Sequence, residues 1–373
     1  LPYEKHHSFM EIRNKKPTDY TETLNRIKKL TTSDYPRLST SHEISLLKRV
    51  ISDLHNEADS KHKPKFILSP NVIEEINRLE DVDLPRYLVH RYRYEIFPQT
   101  YQLDKFPPYL QIEPSSICNY RCVFCYQTDG IFTARQNGHM GYMNLDTFCR
   151  IIDQAEGNIE FISLASRGEP LLCPNIEDML AYTKGKFLNL KMNTNASLLD
   201  ESKAHAILQS GINTLVFSAD AAEENLYSQL RVNGNLKRIL DNIKTFHHIK
   251  SKHYSDSRII TRVSGVKFDE RQSLDEMEEY WGELVDQVAF VNYNPWENVY
   301  ERTANEIALP CSDLWRRMFV WWDGKVNPCD VDYRSTLSPG NISNQDLSSL
   351  WRSQRYEILR NIHANKKRSS KGP

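Results

Sequence analysis

Apolar positions change rhythm twice along the chain. Up to about residue 105 the sequence is polar and rich in Lys and Tyr, with apolar residues at helical spacing. Ser41-His-Glu-Ile-Ser-Leu-Leu-Lys-Arg-Val-Ile-Ser-Asp-Leu54 shows this behind a Thr/Ser start, the signature of an amphipathic helix; Val72 to Leu79 reads as another. No catalytic pattern falls here, so residues 1–106 are expected to form a helical N-terminal extension packed on the main domain. From Pro107 short apolar runs alternate with helical stretches. Strands are expected at Tyr109–Glu113, Ile159–Leu164, Leu188–Met192, Thr214–Ser218, Ile259–Val266 and Val288–Val291. Helices are expected between them at Leu145–Gln154, Ile176–Tyr182, Ser202–Gln209, Leu236–His248 and Leu274–Leu284. Such alternation implies right-handed crossovers and a parallel sheet. Residues 107–305 therefore read as α/β, a partial (β/α)6 TIM-like barrel, with function expected in loops at the strand C-terminal ends.

After Pro310 the rhythm breaks. Met318-Phe-Val-Trp-Trp-Asp-Gly-Lys-Val-Asn-Pro328 reads as two short strands around Asp323-Gly324, a strong hairpin signal. One final helix, Gln345 to about His363, follows with Leu347, Leu350, Trp351, Ile358 and Leu359 as its apolar stripe. Residues 306–373 are expected to form a small separate subdomain.

Composition removes several function classes. At 373 residues the chain can bury a sizeable core. Lys+Arg number 48 against Asp+Glu 49, a net charge of −1, which argues against a globally basic nucleic-acid binder. No uninterrupted apolar stretch reaches the ~18 residues of a membrane-spanning helix. The chain starts at Leu1 with no leader pattern, and reads as a piece of a longer protein. Seven cysteines, an odd number in two separated groups, argue against a disulfide scaffold. They favour a reducing, cytoplasmic setting in which thiols bind metal or do chemistry.

The first group is Ile117-Cys118-Asn-Tyr-Arg-Cys122-Val-Phe124-Cys125-Tyr126, directly after the first barrel strand. Three thiolates at this spacing converge on one centre only if they lie on a loop, and thiolates hold iron–sulfur clusters. A zinc knuckle would need a fourth close ligand; the nearest candidate, His139, is isolated. Three ligands leave one iron of a [4Fe–4S] cluster open.

At these residues the chain resembles the radical S-adenosylmethionine (SAM) superfamily, whose signature is this cysteine spacing with an aromatic, here Phe124, before the third. The resemblance implies that Cys118, Cys122 and Cys125 hold a [4Fe–4S] cluster whose open iron is chelated by SAM. Reductive cleavage of SAM would then give a 5′-deoxyadenosyl radical that abstracts hydrogen. Later strand ends continue the likeness. Ser166-Arg167-Gly168-Glu169-Pro170 is similar to the family's Gly-Glu-Pro motif, with Arg167 in place of the usual first glycine. Asn193-Thr194-Asn195 resembles its Thr-Asn-Gly, with Ala196 replacing the glycine. Phe217-Ser218-Ala-Asp220 and Tyr227-Ser-Gln-Leu-Arg231-Val-Asn-Gly234 resemble its Ser-x-Asp and Tyr-x-x-Leu-Arg-x-x-Gly. The implied cofactor-binding set is Phe124, Gly168, Glu169, Pro170, Asn193, Asn195, Ser218, Asp220 and Arg231, with Glu169 on the SAM amino group and Ser218 and Arg231 on its carboxylate.

The second group, Cys311 and Cys329, brackets the hairpin and resembles the start of the SPASM or twitch subdomains of radical SAM enzymes. Asn341-Ile-Ser, Leu350-Trp351 and Tyr356-Glu-Ile-Leu-Arg360 match the helix that follows in them. By that likeness Cys311 and Cys329 ligate a second, auxiliary [4Fe–4S] cluster, completed by a Cys-x-x-Cys beyond Pro373. Cys149 and Cys173 read as packing residues, and Trp315, Phe319, Trp321 and Trp322 as subdomain core. The implied function is a radical SAM oxidoreductase that dehydrogenates or epimerises a carbohydrate- or aminocyclitol-type small molecule. The implied reductant is a flavodoxin or ferredoxin, and neither a membrane nor nucleic acid is expected as partner. A second reading is a maturase acting on a peptide or protein side chain; a third, from another class, is a non-enzymatic zinc protein.

Overall fold

A computed structural model describes residues 4–5, 21–30, 38, 40–55, 64–293, 299–301 and 308–368. Its strands are β1 (Glu4–Lys5), β2 (Tyr109–Ile112), β3 (Arg121–Cys122), β4 (Phe161–Leu164), β5 (Asn189–Thr194) and β6 (Thr214–Ser218). They continue with β7 (Arg231–Val232), β8 (Ile260–Lys267), β9 (Gln287–Asn292), β10 (Arg317–Val320), β11 (Lys325–Asn327) and β12 (Gly340–Asn341). One sheet runs β1-β9-β8-β6-β5-β4-β2-β10-β11-β12, while β3 and β7 pair apart from it. The six expected barrel strands are all parallel to their neighbours.

Alternation along these strands sorts their side chains. Leu110, Ile112, Ile162, Leu164, Leu190, Met192, Leu215, Phe217, Val263, Val288 and Phe290 share one core with the helices, including Phe148, Ile151 and Ile152 of Leu145–Ala155. Fully burying each such side chain contributes ~1.5–3 kcal/mol. The alternate positions face the barrel lumen. Helix starts are set by caps: Asn144, Asp200, Asn235 and Ser273 each accept from a backbone N–H of the first turn. The strand–helix order brings the loops that follow β2, β4, β5 and β6 to one end.

The N-terminal helices lie at the other end. Leu84–Thr100 carries Tyr87, Leu88, Tyr92 and Phe97 into a second core with Phe161 and Leu188, at or just before the starts of β4 and β5. His90 stacks on Phe161 at 3.8 Å, and Arg86 Nε donates to Glu160 at 2.8 Å. A small cavity lined by Glu74, Arg78 and Tyr87 together with Asn189, Arg262 and Gln287 places these helices across the N-terminal ends of the strands.

One expectation, the single final helix, is corrected. The C-terminal hairpin is joined to the barrel sheet: β10 pairs in parallel with β2 from Arg317↔Tyr109 to Val320↔Ile112. Its turn is formed by Gly324 at φ +79, where a side chain would be strained. The final helix is two, Leu347–Trp351 and Gln354–Ala364. Ser353, at φ −64 and ψ 154, breaks the run so that Trp351 and Tyr356 can pack at 5.2 Å.

Candidate active site

The cysteine loop leaves β2 and is pinned by the short β3/β7 pair, whose register sets Cys122 opposite Arg231. The Cys125 N–H donates to the Cys122 carbonyl at 3.0 Å, and the Tyr120 N–H to Cys118 Sγ at 3.4 Å. Burial pushes the Cys118 thiol up to about 12 and raises Cys122 and Cys125 as well, with neighbouring thiols adding to the rise at Cys118 and Cys125. Thiols so buried become thiolates only beside positive charge such as a metal centre supplies. Among the described residues no three His, Cys, Asp or Glu side chains converge tightly enough for a single ion. Three thiolates on one loop are the donor set that holds an iron–sulfur cluster.

The loop after β4 locks onto the cysteine loop. A Cβ on Gly168 would sit 2.4 Å from the Ser115 carbonyl oxygen and 2.5 Å from that of Ile117, so only glycine allows this approach. Glu169 N–H donates to the Ile117 carbonyl at 2.9 Å, and Pro170 starts a short 3-10 turn. The Glu169 carboxylate accepts from Thr194 Oγ1 at 2.6 Å, the Asn195 N–H at 2.7 Å and the Leu171 N–H at 3.1 Å. Burial pushes this carboxyl up while those donors pull it back, which leaves a fixed carboxylate at the strand ends. Asn195 Nδ2 donates to Asn119 Oδ1 at 2.9 Å, tying the third loop to the cysteine loop. Asn193 Oδ1 is buried without a protein partner, the state of a group that awaits a ligand.

Beyond β6, Arg231 pairs with fully buried Asp220 at 2.5 Å and donates to Cys122 Sγ at 3.7 Å. Phe124 lies 5.9 Å from its guanidinium and 5.7 Å from Phe268. Asp220 also accepts from the Val266 N–H at 2.6 Å, which places it behind Arg231 as its anchor. Ser218 ends β6 opposite Ser264. An Arg231→Lys variant keeps charge but loses the fork. We expect SAM binding to weaken by ~1.5–3 kcal/mol, about ten- to a hundred-fold, in equilibrium dialysis of anaerobic protein. Unchanged affinity in both Arg231→Lys and Arg231→Ala would remove Arg231 from the site.

The hairpin meets the site through a buried pair that the sequence did not disclose. Arg167 Nε donates to Glu113 Oε2 at 2.7 Å, its Nη2 reaches Oε1, and its Nη1 donates to the Tyr333 carbonyl at 2.7 Å. Trp321 lies under the guanidinium at 4.3 Å, and Glu113 also accepts from the Arg167 and Trp322 N–H groups. Glu113 is 0 % and Arg167 3 % exposed. An acid directly after an apolar strand was the available signal for Glu113. Tyr333 Oη donates to Asp129 at 2.7 Å and Arg334 Nε at 3.0 Å, fastening the loop after the cysteines to the same segment. Burial raises both Cys311 and Cys329, the Cys311 thiol adds to the rise at Cys329, and the Cys311 N–H donates to His363 Nδ1 at 3.1 Å. His139 stacks on Phe132 at 5.9 Å, and Cys173 is buried against Met143.

A parallel partial barrel with three cysteines and an acid–amide–arginine set at successive strand ends, joined to a cysteine-bearing hairpin, defines an iron–sulfur radical enzyme. The chain carries a radical SAM domain and a SPASM domain: the family description "Radical SAM superfamily" matches residues 112–277, and "SPASM: Iron-sulfur cluster-binding domain" matches residues 311–371. It is 24% identical over 307 residues to the tungsten-containing aldehyde ferredoxin oxidoreductase cofactor-modifying protein of Pyrococcus furiosus, covering 69% of this chain and 84% of that protein. The solved Streptococcus suis SuiB bound to precursor peptide SuiA shares the fold at TM-score 0.54 and 16% identity, covering 86% of this chain and 78% of that one. The structure of anSMEcpe with bound AdoMet does so at TM-score 0.51 and 15% identity, covering 69% and 80%. A radical SAM domain implies a [4Fe–4S] cluster and SAM, and a SPASM domain an auxiliary iron–sulfur cluster. Among the described residues no helix is long and apolar enough to cross a membrane.

Proposed function

We propose that this radical SAM enzyme is an oxidoreductase that takes hydrogen from an unactivated C–H bond of a carbohydrate-type small molecule. The observation that carries the reading is the bracing of the cysteine loop, Glu169, Asn195 and Arg231 to one another at one end of the barrel. Cys118, Cys122 and Cys125 would hold the first cluster, which with SAM supplies hydrogen-atom abstraction when bound. Glu169, with its three donors in place, is set to receive an amino group. Arg231, backed by Asp220, offers its fork to a carboxylate. Ser218, Asn193 and Phe124 complete the wall. Cys311 and Cys329 would hold the auxiliary cluster close to the same mouth and give a two-electron oxidation somewhere to send its second electron.

A small substrate is favoured because the N-terminal helices lie across the far end of the barrel, away from these loops. A leader-binding module for a peptide would be expected beside the mouth. The reductant would be a flavodoxin- or ferredoxin-type protein. The test is anaerobic turnover with dithionite and SAM against a panel of sugars, aminocyclitols and short peptides, following 5′-deoxyadenosine. Protein carrying both clusters should hold ~8 iron atoms per chain, and sugars or aminocyclitols should accelerate 5′-deoxyadenosine release. Acceleration by peptides alone would replace this reading with the maturase one.

A further inference from the structure

The barrel lumen is unbalanced in charge. Strand register places Phe319, Gln111, Ser163, Lys191 and Thr214 in one row, on the face opposite the helix-packed core. Asn193, Val216, Arg262 and Gln287 form the row above, and Arg317, Tyr109, Phe161 and Asn189 the row below. On this inward face of β2, β4, β5, β6, β8, β9 and β10 stand the cations Lys191, Arg262 and Arg317, and no carboxylate. Glu113, just past the end of β2, is already taken by Arg167.

Two of the cations are occupied. Arg262 Nε donates to Gln287 at 2.7 Å and feels Glu74 and Glu75 of the helix Pro70–Arg78. Arg317 lies 3.7 Å from Asp313, bonds Tyr94 Oη at 3.1 Å and rests on the Tyr109 ring. Lys191 has no hydrogen bond or ion pair among the described residues, although it retains accessible surface. Burial, with repulsion from Arg262 and Arg317, pulls its ammonium down to about 7. Arg262 is on β8 and Arg317 on β10, strands on opposite sides of β5, so Lys191 stands between two cations on the inward face. An unpaired ammonium in such a place is costly unless something anionic joins it.

We infer that Lys191 receives an anionic group of the substrate, a carboxylate or a phosphate, inside the barrel. The position suits the purpose: Lys191 lies two residues, ~6.6 Å, below Asn193 on the same strand face. A small molecule anchored there would present its middle to the level of the SAM-contacting loops. This deepens the reading given under the proposed function and rests on it; the substrate class becomes an acidic or phosphorylated carbohydrate.

The probes are inorganic phosphate and acetate, titrated at constant ionic strength into anaerobic full-length protein with SAM affinity measured in parallel. Wild-type protein and Lys191→Arg should bind the favoured ion; Lys191→Met should bind it about ten- to a hundred-fold more weakly while keeping SAM affinity within about two-fold. Preference for phosphate or for acetate tells the two substrate chemistries apart. Intact SAM binding with no anion binding by the wild type, or equal binding by Lys191→Met, overturns the inference alone. A wild-type protein that binds no SAM overturns the parent reading and takes this one with it.

Discussion

Replacing Cys118, Cys122 and Cys125 together by alanine is expected to abolish 5′-deoxyadenosine formation with dithionite. It should also remove about four of the iron atoms of the fully loaded chain, since each thiolate holds one corner of the first cluster. The fold should survive, because the loop is held by bonds that the thiols do not make. Gly168 packs on Ser115 and Ile117, Gln127 Nε2 donates to the Ser116 carbonyl at 2.8 Å, and Asn119 bonds Asn195. Circular dichroism and a retained melting transition would establish that. SAM cleavage persisting in the triple variant would disprove the assignment. A parallel Cys311→Ala/Cys329→Ala variant should keep SAM cleavage and lose only the iron of the second site, so the two centres can be told apart by counting.

The second large effect concerns Arg167. Arg167→Met leaves the Glu113 carboxylate buried without its guanidinium, and breaking a buried pair in this way costs ~3–5 kcal/mol. Melting temperature should fall by roughly 4–6 °C for a chain of this size. Adding Glu113→Gln should recover much of the loss. The amide removes the stranded charge, and its one oxygen can still accept from the backbone N–H of residue 167 or of Trp322, so the two changes should be far from additive. A single variant that melts with the wild type, or a double variant that loses the sum of both, would show the pair to be of little consequence.

Much of the barrel was legible because each strand is a short, mostly apolar segment and most crossover helices carry a cap and a stripe. The candidate site was legible through spacing: three cysteines and Gly168-Glu169-Pro170, each after its strand, then Asn193-Thr194-Asn195 at the end of β5. Long-range pairings were not. That β10 would lie beside β2 is decided by the complementarity of two segments some two hundred residues apart. The two-residue strands β3 and β7 are too short to have a period at all. Leu84–Thr100 escaped because it is buried on nearly every side, including Arg91 and Arg93, and so shows no polar face. The break at Ser353 was hidden by an apolar stripe that runs across it. Arg167 was noted only as a departure from a glycine, and Lys191 drew no notice inside the Leu188–Met192 strand. Their meaning depends on what faces them across the fold.

The parallel seam between β2 and β10 makes the iron–sulfur hairpin a part of the barrel rather than an accessory to it. A chain cut after β9 would bare the backbone of Tyr109–Ile112 along the whole strand, an edge ready to recruit another chain. It would also strand Arg167 without the Tyr333 carbonyl and the Trp321 ring. Modular exchange of the C-terminal unit between relatives is therefore constrained: the hairpin can be traded only together with the arginine and the glutamate that receive it. Grafting a foreign hairpin onto this barrel would leave Arg167 and Glu113 facing partners they were not shaped to meet.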